Sequence, residues 1–279
     1  MYTNEQLTLK SLQYRHNILR WIKSAGAGHT GGSLSCIDIL NVLYNRILNV
    51  SPDTFTSPDR DRFVQSKGHS VEALFVVLAD QGFYDEKELE SLCAYQSHFV
   101  GHPTRKVPGV EQNTGALGHG LPIATGMAIG ARKDNRNFRV FTLLGDGEMA
   151  EGSNWEAAMA ASHYQLDNLT AIIDCNSLQI SGRTSEVMNN EPLAEKFAAF
   201  GWAVSTVDGH NLTQLSAALA APLQAGKPSM IIAKTIKGKG VSFMEDIPKW
   251  HHGVPSDEEQ IMALKEIETA IAKLTEGSL

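Results

Sequence analysis

The sequence predicts an α/β fold, a doubly wound and mostly parallel sheet with helices on both faces. Three observations lead there. From residue 139 onward, short apolar runs rich in β-branched residues alternate strictly with segments of helical periodicity. The runs RVFTLLG, LTAIIDCN and SMIIAKT are apolar nearly throughout, the pattern of strands buried on both faces by crossover helices. The strand runs end on Gly145-Asp146-Gly147, Asp174-Cys175-Asn176, Asp208-Gly209-His210 and Lys234-Thr235, and in such sheets ligands bind at the carboxyl edge.

Taken in order, residues 7–24 carry Leu9, Leu12, Ile18, Leu19 and Ile22 at helical spacing, and 34–48 repeat it with Ile37, Leu40, Leu43, Ile47 and Leu48. Two helices follow from that. The turn-rich SPDTFTSPDRD leads into RFVQS, a short strand, and KGHS opens a helix over 70–80 that stops at Gly82. Residues 85–95 read as a further helix. Segment 97–120, SHFVGHPTRKVPGVEQNTGALGHG, is rich in Gly, Pro and His without periodicity, which marks a long functional loop. Helices are then expected over 121–133, 153–165, 192–200 and 211–224, with strands RVFTLLG, LTAIIDCN, WAVSTVDG and SMIIAKT between and after them. The tail 256–275 starts with Ser256 and an acidic first turn, a capped surface helix.

At 279 residues, 42% of them hydrophobic and 20% charged, the chain suits one large domain (1–279), with no internal repeat and no domain boundary. A net charge of −7 argues against nucleic acid and anionic membrane as partners, because both favour a basic surface. Small molecules fit better. Cys36, Cys93 and Cys175 lie far apart with no metal-type spacing, as in a reducing compartment. The N-terminus lacks a signal-like apolar core and no stretch approaches the roughly 20 apolar residues of a membrane span. A cytoplasmic location is the expectation.

Gly26-Ala27-Gly28-His29-Thr30-Gly31 matches the dinucleotide pattern GxGxxG, but a helix precedes it where a strand is required, so that reading fails. The two glycines then serve at least to end the helix. Asp146 and Asn176 are more informative. Each follows an apolar strand, and neighbouring strand ends bring them together; a carboxylate, an amide oxygen and a backbone carbonyl after Asn176 are hard ligands suited to Mg²⁺ on a diphosphate. Asp-Gly and Asn-Ser are also ordinary turn residues, so this alone leaves both readings open. Six of the ten histidines stand beside glycine in loops: His29, His69, His102, His119, His210 and His252. Without cysteine or HxxxH companions they suggest proton transfer and hydroxyl recognition more than zinc binding.

The segments SAGAGHTGGSLS, DRDRFVQSKGHS, GHPTRKVPGVEQNTGALGHGLPIATGMAIG, LGDGEMAEGSNWEA, DCNSLQISG, FGWAVSTVDGH and KTIKGKGVSFMED with WHHG resemble, in order, the amino-terminal pyrophosphate-binding domain of transketolases. The resemblance runs over residues 8–255. It implies thiamine diphosphate with Mg²⁺ (or Ca²⁺ or Mn²⁺), held by Asp146, Asn176 and the carbonyl of Leu178. Gly147 and Asn176 would contact the diphosphate, with His69 and Lys67 beside it. Gly115 and Leu117 match the loop that meets the aminopyrimidine at a subunit interface. His29, His102 and His251 resemble the histidines that bind donor hydroxyls and move protons, and Glu151 a buried carboxylate that links two cofactor sites. Thr30 and His119 depart from the family's usual Pro and Gln. His252 competes with His251, which directly follows Trp250 as the family histidine does.

In this family a glutamate from a second, pyrimidine-binding domain tautomerises the cofactor, and this chain ends at Leu279 before such a domain could begin. The resemblance therefore implies the N-terminal subunit of a split transketolase, an α2β2 assembly with a C-terminal subunit that carries the glutamate. Ketose and aldose phosphates are the implied substrates, and the chain alone should be nearly inactive. Two rival readings are a component of another thiamine diphosphate enzyme, of the 1-deoxyxylulose-5-phosphate synthase or 2-oxo acid decarboxylase type, and a non-catalytic relic of the fold. Pentose phosphates, sulfo-sugars and branched sugars are all open as substrates.

Overall fold

The computed structural model describes residues 2–276. Helix α1 (Asn4–Ala25) starts at a reciprocal cap in which Thr3 and Gln6 satisfy each other's backbone N–H, and it stops at Gly26 in the left-handed conformation. The helix-ending role expected for that glycine is its observed one. Helix α2 (Thr30–Val42) is buried along its whole length and tightens into a π turn over Leu43–Ile47, so the helix expected to Leu48 ends sooner.

Strand β1 (Arg62–Gln65) and helix α3 (Val71–Asp80) follow. The helix expected over 85–95 is only a 3₁₀ turn, Glu86–Ser91. Cys93 at a φ of 59° and its N–H bonded to the Phe99 carbonyl at 2.7 Å turn the chain back, and tertiary packing of Leu89 and Phe99 overrides helical spacing. Beyond the irregular segment come α4 (Gly120–Lys133), β2 (Val140–Gly145), α5 (Gly152–His163) and β3 (Leu169–Cys175). The short α6 (Thr184–Val187), which the sequence does not announce, precedes α7 (Leu193–Ala199), β4 (Ala203–Asp208), α8 (Leu212–Leu219), β5 (Ser229–Lys234) and α9 (Asp257–Glu276). Helix α8 stops five residues short of the expected end.

All five strands are parallel, in the order β1-β2-β3-β5-β4. Side chains alternate between two cores, as a period of two requires. Phe141, Leu143, Ile172 and Ile231 face α1, α2 and α3, while Val140, Leu144, Ile173 and Ile232 face α4, α5 and α7. The doubly wound arrangement expected from the alternation is the observed one. Register aligns Gly145 with Asp174 and Asp174 with Ala233, so Asp146, Asn176 and Thr235 emerge at one edge of the sheet. No helix among the described residues is long and apolar enough to cross a membrane.

Candidate functional site

At that edge lies a cavity of about 240 Å³, lined on one side by Asp146, Gly147, Asn176, Leu178 and Lys237 and on the other by His29, Lys67, His69, Gly115, Leu117 and His251. The parallel strands fix its floor. Asp146 accepts the Gly147 N–H at 2.8 Å and the Ser177 N–H at 2.5 Å, and among the described residues no lysine or arginine forms an ion pair with it. Burial, reinforced by the like charge of Asp174, pushes its carboxyl up to about 6. A buried, unneutralised carboxylate of this kind is relieved by a cation.

The neighbouring acceptors are consistent in type. Asn176 is oriented from both ends, its NH₂ donating to Asp174 at 3.2 Å and its oxygen accepting the Leu178 N–H at 3.2 Å. The Leu178 carbonyl accepts from Lys237 Nζ at 3.3 Å. A Cβ on Gly147 would stand 2.8 Å from Gln179 Cγ, so this backbone stays close to its neighbour only as glycine. Carboxylate, amide oxygen and carbonyl form a hard-oxygen set that fits Mg²⁺ or a similar divalent ion, and among the described residues no His/Cys/Asp/Glu cluster offers a rival metal site.

Beneath them sits a buried ion pair. Lys67 and Asp174 are in direct contact, with Ser35, Thr235 and the Gly32 carbonyl completing their hydrogen bonds. Burial opposes charge on both partners, but each stabilises the other's ionised form: Lys67 is raised and Asp174 lowered. The Lys67 ammonium is thus committed to Asp174, and Lys237 is the less neutralised cation facing the cavity. Burial, helped by Lys67, lowers Lys237 to about 8.

The opposite wall is a histidine cluster. His29 lies 5.3 Å from His69, 5.7 Å from His251, 6.1 Å from His102 and 4.6 Å from His252, centroid to centroid, and His69 stacks on His251 at 5.2 Å. Burial first, then neighbouring positive groups, lowers His29 to about 4 and His251 to about 3, and depresses His69 as well; burial alone lowers His102. These rings are neutral near pH 7. Lys237 Nζ donates to His251 Nδ1 at 2.8 Å, which leaves the proton of the neutral ring on Nε2. His29 Nδ1 is buried with no partner, and its backbone N–H donates to the buried Glu72 at 3.1 Å. His251 lines the cavity, whereas His252 is exposed at its rim next to His29.

Two of the histidines singled out beside glycine do not join this group. His119 is exposed, its Nδ1 3.1 Å from the Ala116 carbonyl, and His210 lies on the far side of the 235–240 loop. His102 stands exposed at the rim, close enough to Gly115 that a Cβ there would come within 2.6 Å of its ring. Thr30 uses its departure from proline to donate to the Gly253 carbonyl at 2.6 Å, tying α2 to the His251-His252 segment. Glu151 is exposed on this chain; the buried carboxylate of its segment is Glu148, which accepts from Ser66, Gly118 and Gly145 and ties three loops together.

Lys237, Glu72 and Glu148 are the residues that sequence reasoning missed. Lys237 had a signal, a lysine between two strand-end residues and Gly238 in KTIKGKG. The two glutamates had none, since each looks like the solvated residue of a helix or turn.

Comparison with known proteins agrees with this geometry. Residues 13–270 match the family model described as "Transketolase, thiamine diphosphate binding domain". One of the two subunits of the apulose-4-phosphate transketolase of Phocaeicola vulgatus is 47% identical over 271 residues, covering 97% of this chain and 96% of that one. A 6-deoxy-6-sulfo-D-fructose transketolase subunit from a Clostridium species is 40% identical over 264 residues, covering 92% and 96%. The crystal structure of transketolase from Campylobacter jejuni superposes with a TM-score of 0.85 at 29% identity, over 99% of this chain and 48% of that one. The chain therefore spans nearly all of the subunits it resembles and about half of a solved long-chain transketolase. It belongs to the transketolase thiamine diphosphate-binding domain family and is a subunit of transketolase type.

Proposed function

We propose that this chain is the N-terminal subunit of a split transketolase that binds the diphosphate of thiamine diphosphate through a divalent cation, Mg²⁺ first among the candidates. Asp146, the Asn176 side-chain oxygen and the Leu178 carbonyl would hold the ion, and Gly147 N–H, Lys237 and His69 would face the diphosphate. When bound, the cofactor supplies the nucleophilic carbon and the electron sink for breaking a carbon–carbon bond beside a ketose carbonyl. This chain's own contribution is to bind and to handle protons. His29, with an unpartnered Nδ1, and His251, with its proton on Nε2, are neutral imidazoles that take or give protons at substrate hydroxyls, with His102 at the entrance.

The observation that supports this most is Asp146, a buried carboxylate without a cationic partner beside two further hard oxygens. The C-terminal partner would carry the pyrimidine-binding domain and its glutamate, in a heterotetramer of two subunits of each kind. Relatives named transketolase over nearly their full length weigh against the synthase, decarboxylase and relic readings. Among substrates, ketose phosphates come first, and apulose-4-phosphate, named in the relative from P. vulgatus, is the first donor to assay.

Transfer of a two-carbon unit from a ketose phosphate to an aldose phosphate is measured with this chain, the partner and the mixture. Activity that needs both polypeptides, thiamine diphosphate and Mg²⁺ supports the proposal. Full turnover by this chain alone contradicts it.

A further inference from the structure

His210 carries one of the glycine-flanked histidine motifs, yet it is not in the cavity. Its ring is bonded at both nitrogens. Nδ1 lies 2.7 Å from Asp38 Oδ2, and Nε2 accepts the backbone N–H of Ile236 at 2.9 Å. Asp38 is itself gripped by Arg15, whose two terminal nitrogens reach its two oxygens at 3.0 and 2.6 Å. Burial opposes ionisation of Asp38, but Arg15 and the His210 N–H outweigh it and hold the carboxyl below its ordinary range. An ionised Asp38 accepts from Nδ1–H, and the Ile236 N–H needs a lone pair on Nε2. The two bonds together select one neutral tautomer of His210.

Arg15 also reaches the same loop, its Nε donating to the Lys239 carbonyl at 2.9 Å. The segment 235–240 is thus fastened at Ile236 by His210 and at Lys239 by Arg15, and Lys237, which points into the cavity, lies between those two points. Two glycines make the arrangement possible. A Cβ on Gly209 would collide with the Thr235 methyl where β4 and β5 end side by side, and one on Gly240, at a φ of +97°, would stand 2.8 Å from Arg15 Cδ. The motifs DGH and KGKG therefore form a single device.

We propose that His210 is a positioning residue: braced by the Arg15–Asp38 pair, its imidazole fixes the backbone of the 235–240 loop and so aims the Lys237 ammonium at the diphosphate. The inference rests on the cavity being the diphosphate site. His210 touches no cavity residue directly, and it acts through the Ile236 amide. Gln and Asn separate the two ring bonds, because Gln can place an acceptor near Nε2 while Asn can place a donor near Nδ1 only.

Thiamine diphosphate is titrated calorimetrically into the complex of this chain with its partner, in saturating Mg²⁺, for the wild type and for Lys237→Ala, His210→Gln and His210→Asn. Hydrogen exchange of the Ile236 amide is followed in the same complexes. The proposal expects His210→Asn to weaken cofactor binding about tenfold and to speed Ile236 exchange, while His210→Gln stays within about threefold on both and turnover at saturating cofactor is kept. If Lys237→Ala weakens binding but His210→Asn does not, the clamp is wrong and the site reading stands. Equal losses in the Gln and Asn variants also overturn the clamp, because general disturbance then explains both. If Lys237→Ala leaves binding unchanged, the site reading itself fails.

Discussion

Glu72 is fully buried beneath His29, accepting the His29 N–H at 3.1 Å and the Ser33 hydroxyl at 2.8 Å, and burial outweighs those bonds to push its carboxyl up to about 7. A folded-state value above the unfolded one means that Glu72 binds its proton more tightly in the folded chain. The associated stability is complete below about pH 4.5 and is lost as pH rises through about 7. The difference corresponds to about 3 kcal/mol. Glu72→Gln, measured against wild type by denaturant unfolding between pH 4 and 8, is expected to gain relative stability of that order as pH rises; a pH-independent difference would remove Glu72 from the account. The residue scale is also where the sequence is least complete. Asp146 and Asn176 are legible because each ends an apolar strand, and position along a parallel sheet determines where such residues emerge. Glu72 and Glu148 are not legible, because a carboxylate in a helix or turn reads as solvated until long-range packing buries it.

Among elements, the alternating strands and helices after residue 139 follow the sequence closely, because strands buried on both faces tolerate little but apolar residues. The 3₁₀ turn at Glu86–Ser91 does not, since its shape depends on Phe99 packing back from a distant part of the loop. Strand β3 is the element on which both cores and the site depend: it pairs with β2 and β5, buries Ile172 on one face and Ile173 on the other, and delivers Asp174 and Asn176. Ile172→Ala is expected to destabilise the chain by about 3 kcal/mol in urea unfolding, through lost apolar burial and the cavity it leaves. A loss below about 1 kcal/mol would mean that this core relaxes freely. Gly147→Ala tests the site end of the same sheet. Its methyl would meet Gln179 Cγ and displace the 177–183 turn, so cofactor affinity should fall about tenfold while the unfolding midpoint barely moves.

For the whole molecule, the chain aligns with about half of a solved transketolase and nearly all of the subunits that resemble it. That relation could not be seen from composition or periodicity; it came from seven motifs in register, and the missing pyrimidine half is inferred from family organisation. Cofactor binding should stabilise the assembled enzyme by mass action, about 2.7 kcal/mol at a free concentration one hundred times the dissociation constant, and EDTA should abolish the gain if a divalent ion is the bridge. A thermal shift by thiamine diphosphate that survives EDTA would count against the ion. The most direct test of the central claim is calorimetric titration of thiamine diphosphate into the assembled enzyme, with and without Mg²⁺, for wild type and Asp146→Ala. The account predicts Mg²⁺-dependent binding that weakens at least a hundredfold in the variant, about 2.7 kcal/mol or more, whereas unchanged affinity in Asp146→Ala would contradict it.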